Sequence, residues 1–370
     1  MSNNKDRQRI VYIIDDLNIG GAQVHLIRLI SLMKITFNVE IVCLGSLSSK
    51  LLSKLTDDIP INFFDMSSLK NFRQFSFSFV KLIRYLYQVK PQIVHTYLNT
   101  ANVFGLLAAR VAGIHNVITS RRDMGYFRSV RIAFVESFLS RMLAVRVFCV
   151  CKSVADVTNM KEKIKLTKLR ILLNGIDVNL YNPGINTTDQ YCVSFSMIAS
   201  MNREMKGHMD LIKAVNIVMQ RNVDNIKFYM VGDGPLRKKL ESEVYRLNLD
   251  KCIIFFGEQG DMIPVLKKTD VLIAPSHTEG ISNSILESMA MEVPVIATEV
   301  DGNKEVVLDK VTGILVPVKN KHALANAILQ YANNKALIYE HGHNARRRVA
   351  KYFSLETMRD AYMKAYMDIL

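Results

Sequence analysis

Twice along this chain, short runs of β-branched and aliphatic residues alternate with longer stretches of helical period, and the rhythm breaks once in between. In the first series RIVYIID is followed by AQVHLIRLISLM, INFFD by FSFVKLIRYLYQV and QIVHTY by TANVFGLLAARVAG, with VEIVCLG, NVITS, VRVFCV and LRILLNG as further strand-like runs. Apolar runs without polar alternation mark strands covered on both faces, so the pattern predicts a parallel sheet flanked by helices. The polar stretch NLYNPGINTTDQ, with Pro183 and Gly184, then reads as a linker. A second series runs through CVSFSMIAS, HMDLIKAVNIVMQ, IKFYMVG, PLRKKLESEVYRL, CIIFFG, DVLIAP, a helix over 283–291, VPVIAT and GILVPV. A length of 370 residues suffices for two such cores. The expectation is an α/β protein of two Rossmann-like, doubly wound domains facing a cleft, over residues 1–182 and 183–352. A helix over 353–370, with Phe353, Met358, Tyr362 and Tyr366 forming an apolar stripe, is expected to pack back on the first domain.

Composition narrows the class. With 49% hydrophobic and 22% charged residues the chain is an ordinary globular one. No run reaches the roughly 18 uninterrupted apolar residues of a membrane span, and MSNNKDRQRI has no apolar signal core, so a cytoplasmic placement is expected. Cys43, Cys149, Cys151, Cys192 and Cys252 are scattered, without paired ligand spacing beyond one C-x-C, and read as reduced core thiols. The charge is lopsided: residues 1–180 carry 25 Lys and Arg against 12 Asp and Glu, the remainder 23 against 22. Such a basic half attracts an anionic partner: phospholipid, nucleic acid or a phosphorylated substrate.

In open parallel sheets, ligands bind beyond the carboxyl ends of the strands. In the second series SMIASMNREMKGHMDLIKA places Arg203, Lys206 and Gly207 in a strand-to-helix turn, where cations beside a glycine suit a phosphate. YMVGDGPLRKKL puts Gly232 and Gly234 in the next such turn, with Pro235 suited to the first position of a helix. Its single G-x-G lacks the remainder of a dinucleotide fingerprint, which disfavours NAD. After DVLIAP, the stretch PSHTEGISNSILESMA sets Ser282 near a helix N-cap, with Asn283 beside it, so that backbone amides would point toward an anion. Glu287 lies too far along the helix to be a cap. A carboxylate there suits the paired hydroxyls of a ribose, and Glu279 in the loop suits a second polyol. A surface carboxylate pair stabilised by the helix dipole explains the same spacing, and both readings stand at this point.

Taken together, these residues resemble a known family. The E-x7-E of Glu279 and Glu287 within PSHTEGISNSILESMAMEVPVIAT resembles the hallmark of the retaining glycosyltransferases of family 4, which have the two-domain GT-B fold. DDLNIGGAQ resembles the amino-terminal glycine loop, REMKGH the basic loop, NGID the interdomain signature, and VGDGPLRKKL and DGNKEVVLDKVTGILVPV later segments. The likeness spans nearly the whole chain. It implies that Lys206 and Arg203 contact the donor diphosphate, that Glu287 holds the ribose and that Glu279 lies near the donor sugar. It also implies that Gly20 and Gly21 approach the phosphates or the acceptor, that Gly232, Ile281, Ser282 and Asn283 belong to the donor site, and that His95 faces the transferred sugar. Without the resemblance, His95 reads as a core or strand-end histidine. The chain departs from the family pattern in three places. Ser200 and Met201 stand where many relatives have Gly-Arg, Gln23 stands where glutamate is common, and Ile281–Ser282 replace a frequent Phe-Gly or Leu-Pro.

No D-x-D motif occurs, and fixed cations with helix amides can stabilise a departing diphosphate, so metal-independent transfer without a cofactor is expected. The resemblance puts the acceptor on the first domain. There NFRQFSFSFVKLIRYLYQ and YFRSVRIAFVESFLSRMLAVR mix apolar residues with Arg and Lys as interfacial helices do, although core-facing helices with solvated charges would read alike. Arg121 and Arg122 are candidates for an anionic group of the acceptor. The expected partners are a nucleotide sugar, with UDP the commonest in the family, and a glycan or lipid-linked acceptor in polysaccharide or lipopolysaccharide synthesis, with the inner face of the plasma membrane as a peripheral site. Two alternatives remain: a GT-B sugar-nucleotide epimerase, and a basic nucleic-acid-binding protein, for which no recognition signature is present.

Overall fold

The computed structural model describes residues 7–18, 20–46, 59–66, 72–126, 129–184, 192–221, 223 and 225–370. Ile19 of the glycine loop, Asn71, Phe127 and Arg128 of the two basic segments, and 185–190 of the polar stretch lie outside them. The chain divides into two compact units, residues 1–175 with 355–370, and residues 176–354.

The first unit holds a seven-stranded sheet: β1 (Arg9–Ile14), β2 (Asn38–Cys43), β3 (Ile61–Phe63), β4 (Ile93–Tyr97), β5 (Val117–Arg121), β6 (Arg146–Cys149) and β7 (Leu169–Ile171). Their spatial order is β3-β2-β1-β4-β5-β6-β7, and every pairing is parallel. The second holds six strands: β8 (Val193–Ile198), β9 (Ile226–Val231), β10 (Ile253–Gly257), β11 (Val271–Ala274), β12 (Val295–Thr298) and β13 (Gly313–Val316). Their order is β10-β9-β8-β11-β12-β13, again parallel throughout. In both sheets the order reverses beside the first strand, between β1 and β4 and between β8 and β11. Crevices for ligands open at such reversals, because the loops after the two strands leave toward opposite faces.

The apolar runs form these strands because each is covered on both sides. Ile10, Tyr12 and Ile14 of β1 pack with Leu26, Leu29 and Ile30 of the Gly21–Met33 helix. Met358, Tyr362 and Tyr366 of the Leu355–Met367 helix join that same core, so the carboxyl-terminal helix completes the first unit. In the second unit Phe195 and Phe228 stack on adjacent strands at 5.2 Å, against Leu211, Val215, Leu324 and Ile328. All five cysteines are buried, and none is in a disulfide.

The units part at other points than the composition implies. The break comes after Gly175 and again after Ser354, where Ile176 pairs with Ser354 and its N–H donates to Phe353 O at 2.8 Å. The polar stretch that read as a linker starts inside the second unit: Arg346 donates to Tyr181 O at 2.8 Å and to Val178 O at 3.1 Å. Phe353 therefore belongs to the second unit and not to the stripe of the last helix. Pro235 precedes the Arg237–Arg246 helix instead of opening it, since Leu236 is the N-cap.

Candidate active site

In the second unit the loops after β8, β11 and β12 meet at the strand-order reversal. The loop after β8 ends in a 3-10 turn, Glu204–Lys206, and then Gly207. Gly207 has φ +82, and a Cβ there would lie 2.1 Å from the carbonyl oxygen of Pro275, so the two loops touch backbone to backbone. His277 N donates to Met205 O at 2.8 Å, and the His277 ring pairs with Asp210 in the first turn of the next helix. This zipper brings Lys206 Nζ to 2.6 Å from Glu279 Oε2, an ion pair spanning 73 residues of sequence.

A third loop supports the carboxylate from behind. Thr278 Oγ1 donates to Asp301 Oδ2 at 3.0 Å, and Gly302 N donates to Glu279 O at 3.3 Å. A Cβ on Gly302 would fall 1.7 Å from Gly280 O, so only glycine lets the Asp301–Val306 helix lie this close to the Glu279 loop. Gly302→Ala is therefore expected to shift Glu279 and to lower kcat/KM roughly 10²-fold while far-UV circular dichroism stays unchanged; an unaltered rate would show that the loop tolerates displacement.

Ser282 is the N-cap of the Asn283–Ala290 helix, in extended conformation, as the spacing implies. Its hydroxyl pairs with Ser284 Oγ at 2.9 Å instead of capping an amide, which leaves the amino end of that helix uncapped by its own side chain. Ile281 is buried, and Glu287 lies buried on the second turn of the same helix, beyond capping range. Arg203 is exposed at the start of the 3-10 turn. Gly232 opens the turn after β9 and lies against Ala199, while Met201 N donates to Asp233 O at 2.8 Å, so this turn buttresses the loop that carries Lys206. A cavity of about 310 Å³ lies nearby, lined by Glu204, His208, Asp210, Lys239, His277 and Lys319 among others. Neither Lys206 nor Glu279 lines it. Among the described residues there is no cluster of three or more His, Cys, Asp or Glu side chains able to hold a metal ion.

The pairing of His277 with Asp210 is not legible in the sequence. An i−2 relation to Glu279 is the only local signal, and nothing along the chain announces Asp210, 67 residues away, as its partner.

The first unit keeps its own reversal, between β1 and β4. Asp15, at the end of β1, accepts from Thr100 N at 3.0 Å and from Ala101 N at 2.6 Å and so caps the helical segment after β4. Burial pushes its carboxyl up to about 6, against the two amides that favour the charged form. Gly20 is the extended N-cap of the Gly21–Met33 helix. Gln23 Nε2 donates to Asp16 Oδ1 at 3.0 Å. The amide suits this place, because a glutamate here would face Asp16 with like charge.

Two expectations are corrected here. His95 does not face a ligand: it is fully buried, with Nδ1 2.8 Å from Tyr366 Oη and Nε2 2.8 Å from Ser120 Oγ. Burial, reinforced by the nearby Arg122 charge, holds its pKa well below the ordinary histidine value. The physical reason is the length of β4, which runs on to Tyr97 and leaves His95 inside the sheet. Arg121 is likewise no surface ligand. It is buried, 2.9 Å from Glu136 and 2.8 Å from Glu162, and donates to Ser140 Oγ at 3.0 Å. Burial opposes its charge, but the two carboxylates more than offset this and hold its pKa above the ordinary arginine value. Arg122 is half-buried and donates to Asn174 Oδ1.

Both units match family models. Residues 19–180 match the model for Glycosyltransferase Family 4, and residues 193–334 match the model for Glycosyl transferases group 1, together most of the chain. The chain belongs to glycosyltransferase family 4. This glycosyltransferase is 24% identical over 310 residues to the UDP-Gal:alpha-D-GlcNAc-diphosphoundecaprenol alpha-1,3-galactosyltransferase of Escherichia coli, covering 79% of each chain. It is 23% identical, over 96% of its own length and 98% of the relative's, to a Campylobacter jejuni enzyme. That enzyme is the N-acetylgalactosamine-N,N'-diacetylbacillosaminyl-diphospho-undecaprenol 4-alpha-N-acetylgalactosaminyltransferase. In fold it is similar to Anabaena Alr3699/HepE, whose crystal structure is in complex with UDP-glucose; the TM-score is 0.85 at 18% identity, covering 97% of this chain and 99% of that one. The fold is GT-B and the activity is glycosyl transfer, which overturns the nucleic-acid-binding alternative.

Proposed function

We propose that this glycosyltransferase moves a sugar, with retention of configuration, from a UDP-sugar to a lipid-linked glycan in the synthesis of a cell-surface polysaccharide or lipopolysaccharide, at the cytoplasmic face of a membrane. The observation that carries the donor half is the Lys206–Glu279 pair, held at the strand-order reversal of the second unit by contacts among three loops. As the glycosidic bond breaks, negative charge grows on the departing diphosphate. A fixed ammonium at Lys206, the Arg203 guanidinium and the amino end of the Asn283–Ala290 helix meet that charge without solvent reorganisation. Glu279 orients the lysine and accepts from a sugar hydroxyl; Glu287 accepts from the ribose. These groups supply the positive charge a metal ion would otherwise provide, which supports metal-independent transfer. The substrates named for the E. coli and C. jejuni relatives, diphosphoundecaprenol-linked sugars in both and UDP-Gal in the first, support the donor and acceptor classes. The complex of the Anabaena protein with UDP-glucose supports the nucleotide. Gly20 and Gly21, in the first unit, are proposed to approach the acceptor or the phosphates.

The test offers the purified protein UDP-glucose, UDP-galactose, their N-acetyl counterparts and GDP-mannose. One UDP-sugar is expected to raise the melting temperature, since a ligand of the folded form must do so. Release of UDP is expected only when a diphospho-polyprenyl glycan is present, and to persist in EDTA. Interconversion of the donor without an acceptor would replace transfer by epimerisation, and stabilisation by GDP-mannose alone would overturn the choice of UDP.

A further inference from the structure

The Val130–Leu143 helix of the first unit is oriented opposite to an ordinary surface helix. Amphipathic helices bury their apolar stripe and expose their polar one. Here Glu136 and Ser140 are fully buried, while Val130, Phe134, Phe138 and Met142, recurring every fourth residue, are 86%, 71%, 46% and 62% exposed. The cause is the ion-pair network. Arg121 binds Glu136 at 2.9 Å and Ser140 at 3.0 Å, and Asn102 Nδ2 donates to Glu136 at 2.8 Å. Rotating the helix to bury its phenylalanines would strand buried charges, so the network locks the apolar face outward.

The exposed face has a definite sign. Arg131 and Arg141 lie on it, Arg141 over the Phe138 ring at 5.8 Å, and the only carboxylate of the helix is the buried Glu136. The Phe72–Val89 helix, which like this one packs on the helical segment Ala101–Val111, repeats the composition. Its exposed Phe77, Val80, Lys81, Arg84 and Tyr87 form one stripe, with Lys81 4.3 Å above the Phe77 ring, and it contains no acidic residue. Apolar side chains among cations, without anions, complement the interface of an anionic bilayer, where rings enter the acyl boundary and Arg and Lys meet phosphates. A second copy of the chain fits worse, because pairing two such faces brings arginine against arginine.

From this we infer that the outward face of the Val130–Leu143 helix, with the exposed stripe of Phe72–Val89, is where the protein lies on an anionic lipid surface. The inference rests on the lipid-linked acceptor proposed above. It differs from a general basic attraction in requiring the phenylalanines as well as the arginines.

The test is co-sedimentation of the full chain with vesicles of phosphatidylglycerol and phosphatidylcholine, or of phosphatidylcholine alone, from low to high salt. The wild type is expected to bind the anionic vesicles and to lose much of that binding in salt. Phe134→Ser with Phe138→Ser is expected to weaken binding about tenfold or more, because the lost ring area no longer leaves water. Arg131→Gln with Arg141→Gln is expected to abolish the preference for anionic lipid. Neither pair belongs to the donor site, so both variants should keep the melting-temperature shift that a UDP-sugar causes in wild type. Unchanged vesicle binding in the serine variant overturns the inference even where the donor shift is present. So does a wild-type dimer in sedimentation velocity that the same variant dissolves. Absence of any donor shift in the wild type, with vesicle binding as expected, would instead count against the proposed donor chemistry and leave the lipid face standing.

Discussion

Lys206→Ala should lower turnover by about 10²- to 10³-fold and leave the protein folded. The two halves of that expectation have separate grounds. Lys206 and Glu279 are partly exposed, and pairs of this kind contribute about 0–1 kcal/mol to stability, so removing the ammonium should shift the melting temperature little. The rate is another matter. In the proposed mechanism the alanine variant loses the cation that would meet the departing diphosphate and leaves Glu279 without its counter-charge. Donor affinity and kcat should therefore both fall. Lys206→Arg should recover only part of the rate, since a planar guanidinium does not reproduce a compact ammonium held 2.6 Å from a carboxylate. Steady-state release of nucleotide with acceptor present, alongside thermal denaturation, reads both quantities. An alanine variant with unchanged kcat would remove Lys206 from the mechanism, and a variant that fails to fold would reassign the pair to stability.

Arg121→Met should have the largest effect on stability. It leaves Glu136 and Glu162 buried without their cation, and breaking a buried ion pair from one side costs about 3–5 kcal/mol. Denaturant unfolding followed by circular dichroism should show this as a loss in the transition of the first unit. The triple variant Arg121→Met, Glu136→Leu, Glu162→Gln, which removes the whole charge set, should recover much of it, because no uncompensated charge stays in the core. Acceptor kinetics read beside the unfolding curve decide between two roles for Arg121. If it bound an anionic acceptor, Arg121→Met would raise the acceptor KM while the fold held. As a buried hub it should lower stability while the folded fraction keeps its KM. A single variant within about 1 kcal/mol of wild type would show the network to be hydrated rather than buried.

The local structure of the candidate site was legible because its signals are local. The turn REMKGH, the N-cap at Ser282 and the helix carrying Glu287 are strings of neighbouring residues whose conformation follows from glycine, capping and period. The two corrected residues show where local signals stop. His95 is two residues short of the end of its strand, and that distance separates a side chain in the core from one at the ligand edge. The partner that defines it, Tyr366, comes 271 residues later. Arg121 followed by Arg122 suggests a place for an anionic acceptor group, but whether the first is buried depends on Glu136 and Glu162, which only packing brings together. The polar stretch near Pro183 misled for a related reason: Arg346, far along the chain, pins its beginning to the second unit.

By itself, the order of residues determined two parallel sheets, the turns at their carboxyl edges and the chemical types gathered there, because period, capping and glycine act over a few residues. Only the tertiary structure decided that Lys206 and Glu279 form a pair, that His95 and Arg121 belong to the interior, and that one helix turns its phenylalanines outward. Each of those outcomes depends on groups tens to hundreds of residues apart, and their meeting is set by the packing of whole strands and helices rather than by any neighbour in the chain.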